Sequence, residues 1–496
     1  MAGKFLKFFS PFVRAMPELK QPQREVSFKE KFIWTALVLI IYLILSNIPL
    51  YGVNLSQSTD YFYWIRVILA SQRGTLTELG IGPIVTAGLI MQLLLGSRII
   101  NVNMADPYDR AMFSGAQKVL AVFLTIFNAV AYIFAGAFGP LTGDEGIGIA
   151  GAIFIFFQLL FSGIIIILLD ELLQKGWGLG SGVSLFIAAG VAGQIFWNSF
   201  SFIPTPGPPN GDGLPRGIVI AFFTALFDNN PDTHLGTILL RGNYPSLIGI
   251  ITTIIIFVLV IWFESTRVEI PLAYRGYRGF KGKYPMKLLY VSNIPVILVN
   301  ALYANFLFFG QLLAGPQGAL RGVLPDFWVD LIGVFESETL GDPAMGGQLI
   351  PKGGLIFLLT PPFGIDEIAA NPLRAIIYLV IFIFLCIMLG RLWVEVSGLA
   401  PRDIAGQIID SQMQVPGFRS SSKIIERILK RYIPTLVILN GIIIAVLSFS
   451  ADSLRALTSG TGLLIAIGII HQYAETISKE LAAAHYPGMR AMLGLD

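Results

Sequence analysis

The chain has 496 residues, 54% of them hydrophobic and only 13% charged, about half the charged share of an ordinary soluble domain, which excludes a soluble enzyme. Its 34 Lys and Arg against 31 Asp and Glu leave a formal charge of +3, too small to indicate a nucleic-acid binder by itself. The single cysteine, Cys386, forbids an internal disulfide, and with the three scattered histidines it forms no zinc-ligand spacing, so no catalytic residue, metal or cofactor is expected.

Residues 1–31 precede the first apolar run. Here Phe5, Phe8, Phe9, Phe12 and Met16 interleave with Lys4, Lys7 and Arg14, a pattern that predicts an interfacial amphipathic helix anchored on the membrane surface rather than a signal peptide. A bilayer core of about 30 Å needs roughly 20 mostly apolar residues per helix. Ten such stretches follow: Phe32 to Tyr51, Leu79 to Gly96, Val119 to Phe138, Ile147 to Leu169, Ser181 to Phe200, Ser246 to Phe263, Val291 to Ala314, Ala375 to Val394, Tyr432 to Ala451 and Ala456 to Ala474. The expected fold class is an all-α polytopic membrane protein with ten transmembrane helices. Spans one to five fill 32–200, an external loop 201–245, spans six to ten 246–474, and a tail 475–496. With the N-terminus inside, 26 of the 34 basic residues fall on the inner side and 8 on the outer, which predicts that both termini are cytoplasmic.

Some segments are too short to span. Asp60 to Gly74 is partly apolar but broken by Arg66 and Arg73; it fits either a short helix dipping into the outer half, shielded by protein, or an external surface helix. The external loop 315–374 contains LIFLLTPPFG at Leu355 to Gly364, a second partly inserted hairpin or a cap over the outer face. On the inner side, the loop at 264–290 holds Arg267, Arg275, Arg278, Lys281, Lys283 and Lys287. The loop at 395–431, with the adjoining end of span eight, holds Arg391, Arg402, Arg419, Lys423, Arg427, Lys430 and Arg431. Both loops exceed what a connection needs, which favours docking of a macromolecular partner, although lipid headgroups explain part of the charge.

Pumps and secondary transporters need ionisable groups at membrane depth, and the ten spans carry essentially none. Their polar side chains are amides and hydroxyls, Thr86, Gln92, Asn128, Gln158, Asn300, Asn305, Gln311 and Asn440, expected to hydrogen-bond between helices. GWGLGSG at Gly176 to Gly182 lacks the Lys-Ser or Lys-Thr of a phosphate loop and reads as tight packing with an N-cap at Ser181. Gly80, Gly82 and Pro83 open the second span and Pro295 lies near the start of the seventh, where a bundle can hinge.

The segments RGTLTELGIGPIVTAGLIMQLL (Arg73 to Leu94), LDELLQKGWGLGSGVSLFIAAG (Leu169 to Gly190), RVEIPLAYRGYRGFKGKYPMKLLYVSNIPVIL (Arg267 to Leu298), KRYIPT (Lys430 to Thr435) and SGTGLLIA (Ser459 to Ala466) resemble the SecY family in its archaeal and eukaryotic branch. SecY is the large pore-forming subunit of the protein translocon, and the resemblance runs end to end. It implies two inverted five-helix halves around a central pore. The family's apolar pore ring falls on Ile81, Val85, Val183, Ile187, Ile297 and Ile465, with Val85 and Val183 smaller than the usual Ile. Its plug falls on residues 60–70, namely Tyr61, Phe62, Trp64, Ile65, Val67, Ile68 and Leu69. The polar cluster of its lateral gate falls on Thr86, Asn128 and Asn305, and its ribosome-docking contacts on Arg275, Arg278, Arg402 and Arg419.

The implied partners are a SecE-type subunit, a small single-span third subunit, the ribosome, signal peptides and nascent chains, and membrane lipid. The implied function is passage of unfolded polypeptides across the membrane and lateral release of apolar segments into lipid, without catalysis. The expected location is the plasma membrane, or the endoplasmic reticulum for a eukaryotic source. A secondary transporter of a small solute is the alternative; it would need charged or ordered polar groups at the midplane. A membrane scaffold without a pore is a third reading.

Overall fold

The computed structural model describes residues 4–24, 26–53, 66, 69–97, 99–100, 102, 106–139, 147–205, 212–227, 235–241, 244–274, 281–315, 320–321, 323, 325–338, 348–410, 413–414 and 422–485. Its first half comprises α1 (Lys4–Ala15), α2 (Phe28–Asn47), α3 (Gly82–Gly96), α4 (Pro107–Phe134), α5 (Gly148–Leu172) and α6 (Gly182–Phe200). Two short external helices follow, α7 (Ile218–Phe227) and α8 (Leu235–Leu239). The second half holds α9 (Leu247–Ser265), a hairpin of β1 (Arg267–Tyr274) and β2 (Lys281–Lys287), and α10 (Ile294–Ala314). An outer cap follows, of α11 (Asp326–Ile332), β3 (Val334–Glu338), β4 (Gln348–Gly353), α12 (Gly354–Leu359) and α13 (Gly364–Ala370). Then come α14 (Pro372–Val396), α15 (Pro401–Asp410), β5 (Met413–Gln414), α16 (Ser422–Ser453) and α17 (Gly460–His485). The ten predicted spans correspond to α2 to α6, α9, α10, α14, α16 and α17. Seven stretches of the described chain are long and apolar enough to cross a membrane by length and composition.

Several helices depart from their apolar runs because capping, not hydropathy, sets where a helix begins. The Ser27 side chain accepts the Glu30 amide, so α2 starts four residues before the predicted Phe32. Asp106 caps α4 by accepting from the Tyr108 amide at 3.1 Å, with Pro107 at the first position, twelve residues ahead of the predicted Val119. By contrast α3 has only 15 residues, about 22 Å at a rise of about 1.5 Å per residue. The turns between Thr75 and Ile81 fill the rest of that predicted run.

Five antiparallel strand segments lie outside the spans. A sheet of order β2-β1-β5 forms on the basic inner loops, and β3 pairs with β4 on the outside. The segment read as an inserted hairpin or cap, Leu355 to Gly364, contains α12 and the Pro361–Pro362 break before α13. Ile356 of α12 closes against the last turns of α10 so tightly that a Cβ on Gly310 would lie 1.8 Å from its Cδ1. One large apolar core links α2, α3, α5, α6, α9, α10, α14, α16 and α17. A second lies toward the outer ends of α4, α5 and α10, and a third joins the inner hairpin to α14, α15 and α16. Residues such as Ile254, Val258, Val380 and Phe384 stay more than half exposed on the perimeter, the surface that lipid covers.

The N-terminal helix is not only a surface anchor. It packs on α4, where a Cβ on Gly115 would sit 2.6 Å from Val13. The extended segment behind it is strapped to the inner end of α5 by Lys175 to Glu18 at 2.7 Å and Trp177 Nε1 to the Lys20 carbonyl at 2.9 Å, while Lys118 of α4 donates to the Pro17 carbonyl and pairs with Glu171 of α5 at 2.6 Å. The Glu18 carboxyl is held below its usual range by the hydrogen bond from Lys175 and then by that ammonium's charge.

Candidate functional site

The six apolar residues singled out for a ring lie on four helices, each near its first turns. Ile81 stands at the mouth of α3 and Val85 one turn later; Val183 and Ile187 are one turn apart on α6; Ile297 is in the first turn of α10 and Ile465 in the second of α17. A four-residue spacing keeps each pair on one helix face. The structure gathers all six into a single apolar cluster: Ile81, Ile187 and Ile465 are buried, and Val85, Val183 and Ile297 are half-buried against them.

Over this cluster sits the end of the segment predicted to close it. Of those residues Leu69 lies within the described chain; Tyr61, Phe62, Trp64, Ile65, Val67 and Ile68 lie outside the described residues. The Ile81 amide donates to the Leu69 carbonyl at 2.9 Å. That carbonyl oxygen would be 2.2 Å from a Cβ on Gly80, whose φ of +53° suits glycine alone at such a close approach. Ala70 is buried, its carbonyl accepting from Tyr42 Oη at 2.6 Å, and Tyr42 stacks on Phe186 at 4.3 Å. Behind it, buried Glu78 pairs with Arg66 at 2.8 Å and accepts the Gly74 amide, while Ser71 Oγ donates to the Glu78 carbonyl at 2.5 Å. Tyr42, Phe186 and Glu78 were not among the residues expected here. Glu78 and Tyr42 were marked in the sequence only as polar groups at or within an apolar run, and Phe186 carried no signal.

Of the three residues expected at a gate, two meet: Asn305 Nδ2 on α10 donates to Thr86 Oγ1 on α3 at 3.1 Å, and also to its own helix at Ala301. Asn128 is half-buried on α4 and bonds to neither among the described residues. The α4 to α10 seam is closed by rings instead, Phe127 against Phe309 at 6.1 Å and Tyr132 stacked on Phe308 at 5.6 Å. The expectation of an interhelical hydrogen bond holds for Asn305, whereas Asn440 Nδ2 donates at 3.2 Å to the Ser292 carbonyl in the turn before α10. Gln158 bonds the Tyr51 loop and its own helix. Gln92 Oε1, Asn300 Nδ2 and Gln311 Oε1 are buried without a hydrogen-bond partner among the described residues.

Two polar joints hold the helix starts that form the cluster. Ser181 does not cap α6 with its side chain; it donates to Asp170 Oδ1 at 3.2 Å, and the same oxygen accepts the Val183 amide at 3.0 Å. The glycine run lets this happen: Gly180, at φ +67°, lies against Tyr473, whose Oη donates to the Leu179 and Ser181 carbonyls. At the foot of α10, Ser292 adopts φ +51° and donates to buried Glu264 on α9 at 2.5 Å, while Asn293 Nδ2 donates to the Leu464 carbonyl of α17 at 2.9 Å. These residues are scattered in sequence, so no spacing pointed to them.

On the inner side, Glu475 of α17 ties down the β hairpin through Arg267 at 2.8 Å and Lys287 at 3.0 Å. Arg402, at the start of α15, has its side chain 84% exposed and only a 3.9 Å approach to Asp403. Arg275, Arg278 and Arg419 lie outside the described residues.

The SecY family profile matches residues 75–474, and that of the plug domain of Sec61p matches residues 40–74. A solved protein-conducting channel is 37% identical, the alignment covering 96% of this chain and 97% of that one, with a TM-score of 0.77. A SecY structure concerned with how the plug domain stabilises the closed state of the translocation channel matches at 37% identity over 96% and 97%, with a TM-score of 0.75. Sec61 in the canine ribosome-channel complex from the endoplasmic reticulum matches at 36% identity over the same shares, with a TM-score of 0.74.

Proposed function

The chain belongs to the SecY family, and from that membership we propose that it is the central subunit of a protein-conducting channel. Its ten spans form two inverted halves around a pore whose waist is the cluster of Ile81, Val85, Val183, Ile187, Ile297 and Ile465. The observation that carries the reading is the convergence of these six aliphatic side chains, from four helices far apart in sequence, beneath the Leu69 and Ala70 end of the plug. Branched aliphatics at a constriction strip water and so resist ions, while offering no hydrogen bond that would select one peptide over another. Such a waist suits unfolded chains of any sequence and makes or breaks no bond.

The seam between α3 and α10, held by Asn305 and Thr86, is the side through which an apolar segment leaves for lipid. The chain works with a SecE-type subunit and a small single-span subunit, and accepts nascent chains from a ribosome docked on the inner basic loops. It is a multi-pass membrane protein; the basic excess of the inner loops supports cytoplasmic termini, and the archaeal-like motifs support the plasma membrane. The rival reading, a small-solute transporter, asks for charged or ordered polar groups facing a site at the midplane, whereas the side chains that converge at the waist are the six aliphatics.

The test fixes a stalled secretory chain at mid-length and photocrosslinks from Ile81, Val183 and Ile297. Labelling from all three positions is expected; labelling confined to perimeter positions such as Val258 overturns the proposal.

A further inference from the structure

We propose that α7, in the external loop between the two halves, lies within the outer leaflet of the bilayer and anchors that loop in lipid. Its ten residues, IVIAFFTALF, carry no charge. The one polar side chain, Thr224, spends its hydroxyl on the Ile220 carbonyl at 2.8 Å. One face, Ile218, Ala221 and Ala225, is buried with Leu214, Ile238 and Leu457, and partly buried Ile195, Leu247 and Ile250 pack against it. The opposite face shows Phe223, Leu226 and Phe227 to the surroundings, Phe227 at 81% exposure. Water is a poor neighbour for such a face, at about 25 cal/mol per Å² of apolar surface.

Depth and continuity identify lipid as the occupant. Ile195 lies five residues before the outer end of α6, and Ile250 three residues after the outer start of α9, so both stand about 5–8 Å inside the helix ends. A helix packed on them runs at membrane depth, not above it. Its exposed rings continue the exposed apolar surface of those spans, Phe196, Trp197 and Phe200 on one side and Ile251 on the other. The root of α7 is pinned: a Cβ on Gly217 would meet the Ser201 amide nitrogen at 2.4 Å, and the Gly217 amide donates to the Ser201 carbonyl at 2.9 Å. A short apolar helix fixed at this depth is an interfacial anchor, so a movement of one half against the other must carry α7 through headgroups.

Because Cys386 is the sole cysteine, a Cys386→Ala background allows single spin labels at Phe223→Cys, Leu226→Cys and Phe227→Cys in the full chain reconstituted into phosphatidylcholine vesicles. Val258→Cys, on the exposed flank of α9, is the lipid reference, and Arg402→Cys the aqueous one. The ratio of oxygen to nickel-chelate accessibility at the three α7 sites is expected to lie between those at position 258, near mid-membrane, and position 402, and to exceed position 402 severalfold. A ratio equal to that at 402 overturns the proposal in favour of water. Low accessibility to both reagents overturns it in favour of a protein partner covering the helix.

Discussion

Asp212 and Arg241 show how much a single external pair can carry. Arg241 Nε and Nη2 reach Asp212 Oδ2 and Oδ1 at 2.6 and 2.9 Å, and the Arg241 side chain is fully buried while that of Asp212 is 20% exposed. Burial pushes the Asp212 carboxyl up, but hydrogen bonds from Arg241 and Thr205 and the charge of Arg241 outweigh it and leave the group below its ordinary value. A carboxyl lowered in the folded state adds stability that is full above its unfolded value, about 3.9, and is lost as pH falls through the folded one. Asp212→Asn leaves a buried guanidinium half-paired. At neutral pH it is expected to destabilise toward the lower end of about 3–5 kcal/mol, because Asp212 is partly solvated. The check is the thermal midpoint of the detergent-solubilised protein against pH: the gap between wild type and variant should close below about pH 4, and a gap independent of pH would refute the ion-pair account.

Helix by helix, polar joints at the ends decide what the apolar faces can do. Among the described residues the seam between α3 and α10, proposed above as the lateral exit, is bridged by one side-chain hydrogen bond, Asn305 to Thr86, and bonds of this kind inside membranes average about 0.6 kcal/mol. Asn305→Ala should therefore raise the fraction of molecules with the seam parted by roughly threefold, since about 1.4 kcal/mol is a factor of ten. Spin labels at Phe123→Cys on α4 and Phe306→Cys on α10, in the Cys386→Ala background, read that fraction as a longer distance population. Thr86→Ala should give the same shift, and the double variant no further one. Asn128→Ala should leave the population unchanged, because it bonds to neither partner; an equal effect there would mean that burial, not the hydrogen bond, holds the seam.

Taken whole, the molecule combines an apolar centre with basic loops at one end. Deleting residues 61–69 removes the segment whose last residue closes over Ile81. It should raise ion conductance of planar bilayers containing the protein, whereas unchanged conductance would place the seal in the aliphatic waist alone. The inner rim carries Arg402 in full exposure. Charge reversal at Arg275, Arg278, Arg402 and Arg419 should weaken ribosome binding, most at low salt, where the screening length exceeds the roughly 8 Å of physiological buffer. Retained binding by the quadruple variant would assign those arginines to lipid headgroups.

Hydropathy was enough to specify ten crossings, because lipid imposes a length and a polarity that any spanning segment must write into its own composition, and a few family motifs were enough to specify the kind of polymer they serve. Ile81, Val85, Val183, Ile187, Ile297 and Ile465 could be named from the resemblance, but nothing in their local sequence distinguishes them from other core aliphatics such as Ile166 or Leu173. Their meeting in one cluster is a property of four helices packed together. The helix starts at Ser27 and Asp106 rest on local caps two or three residues away, but the Asp170 carboxylate that caps α6 in place of Ser181, the Glu264 to Ser292 joint and the failure of Asn128 to join Asn305 belong to the tertiary structure alone. Each depends on which backbone amide, carbonyl or side chain a distant segment brings within about 3 Å, and a hydrogen bond beyond that reach is not made. A one-dimensional pattern records how greasy a stretch is, whereas partners for buried polar atoms are chosen only when the stretches have been set side by side.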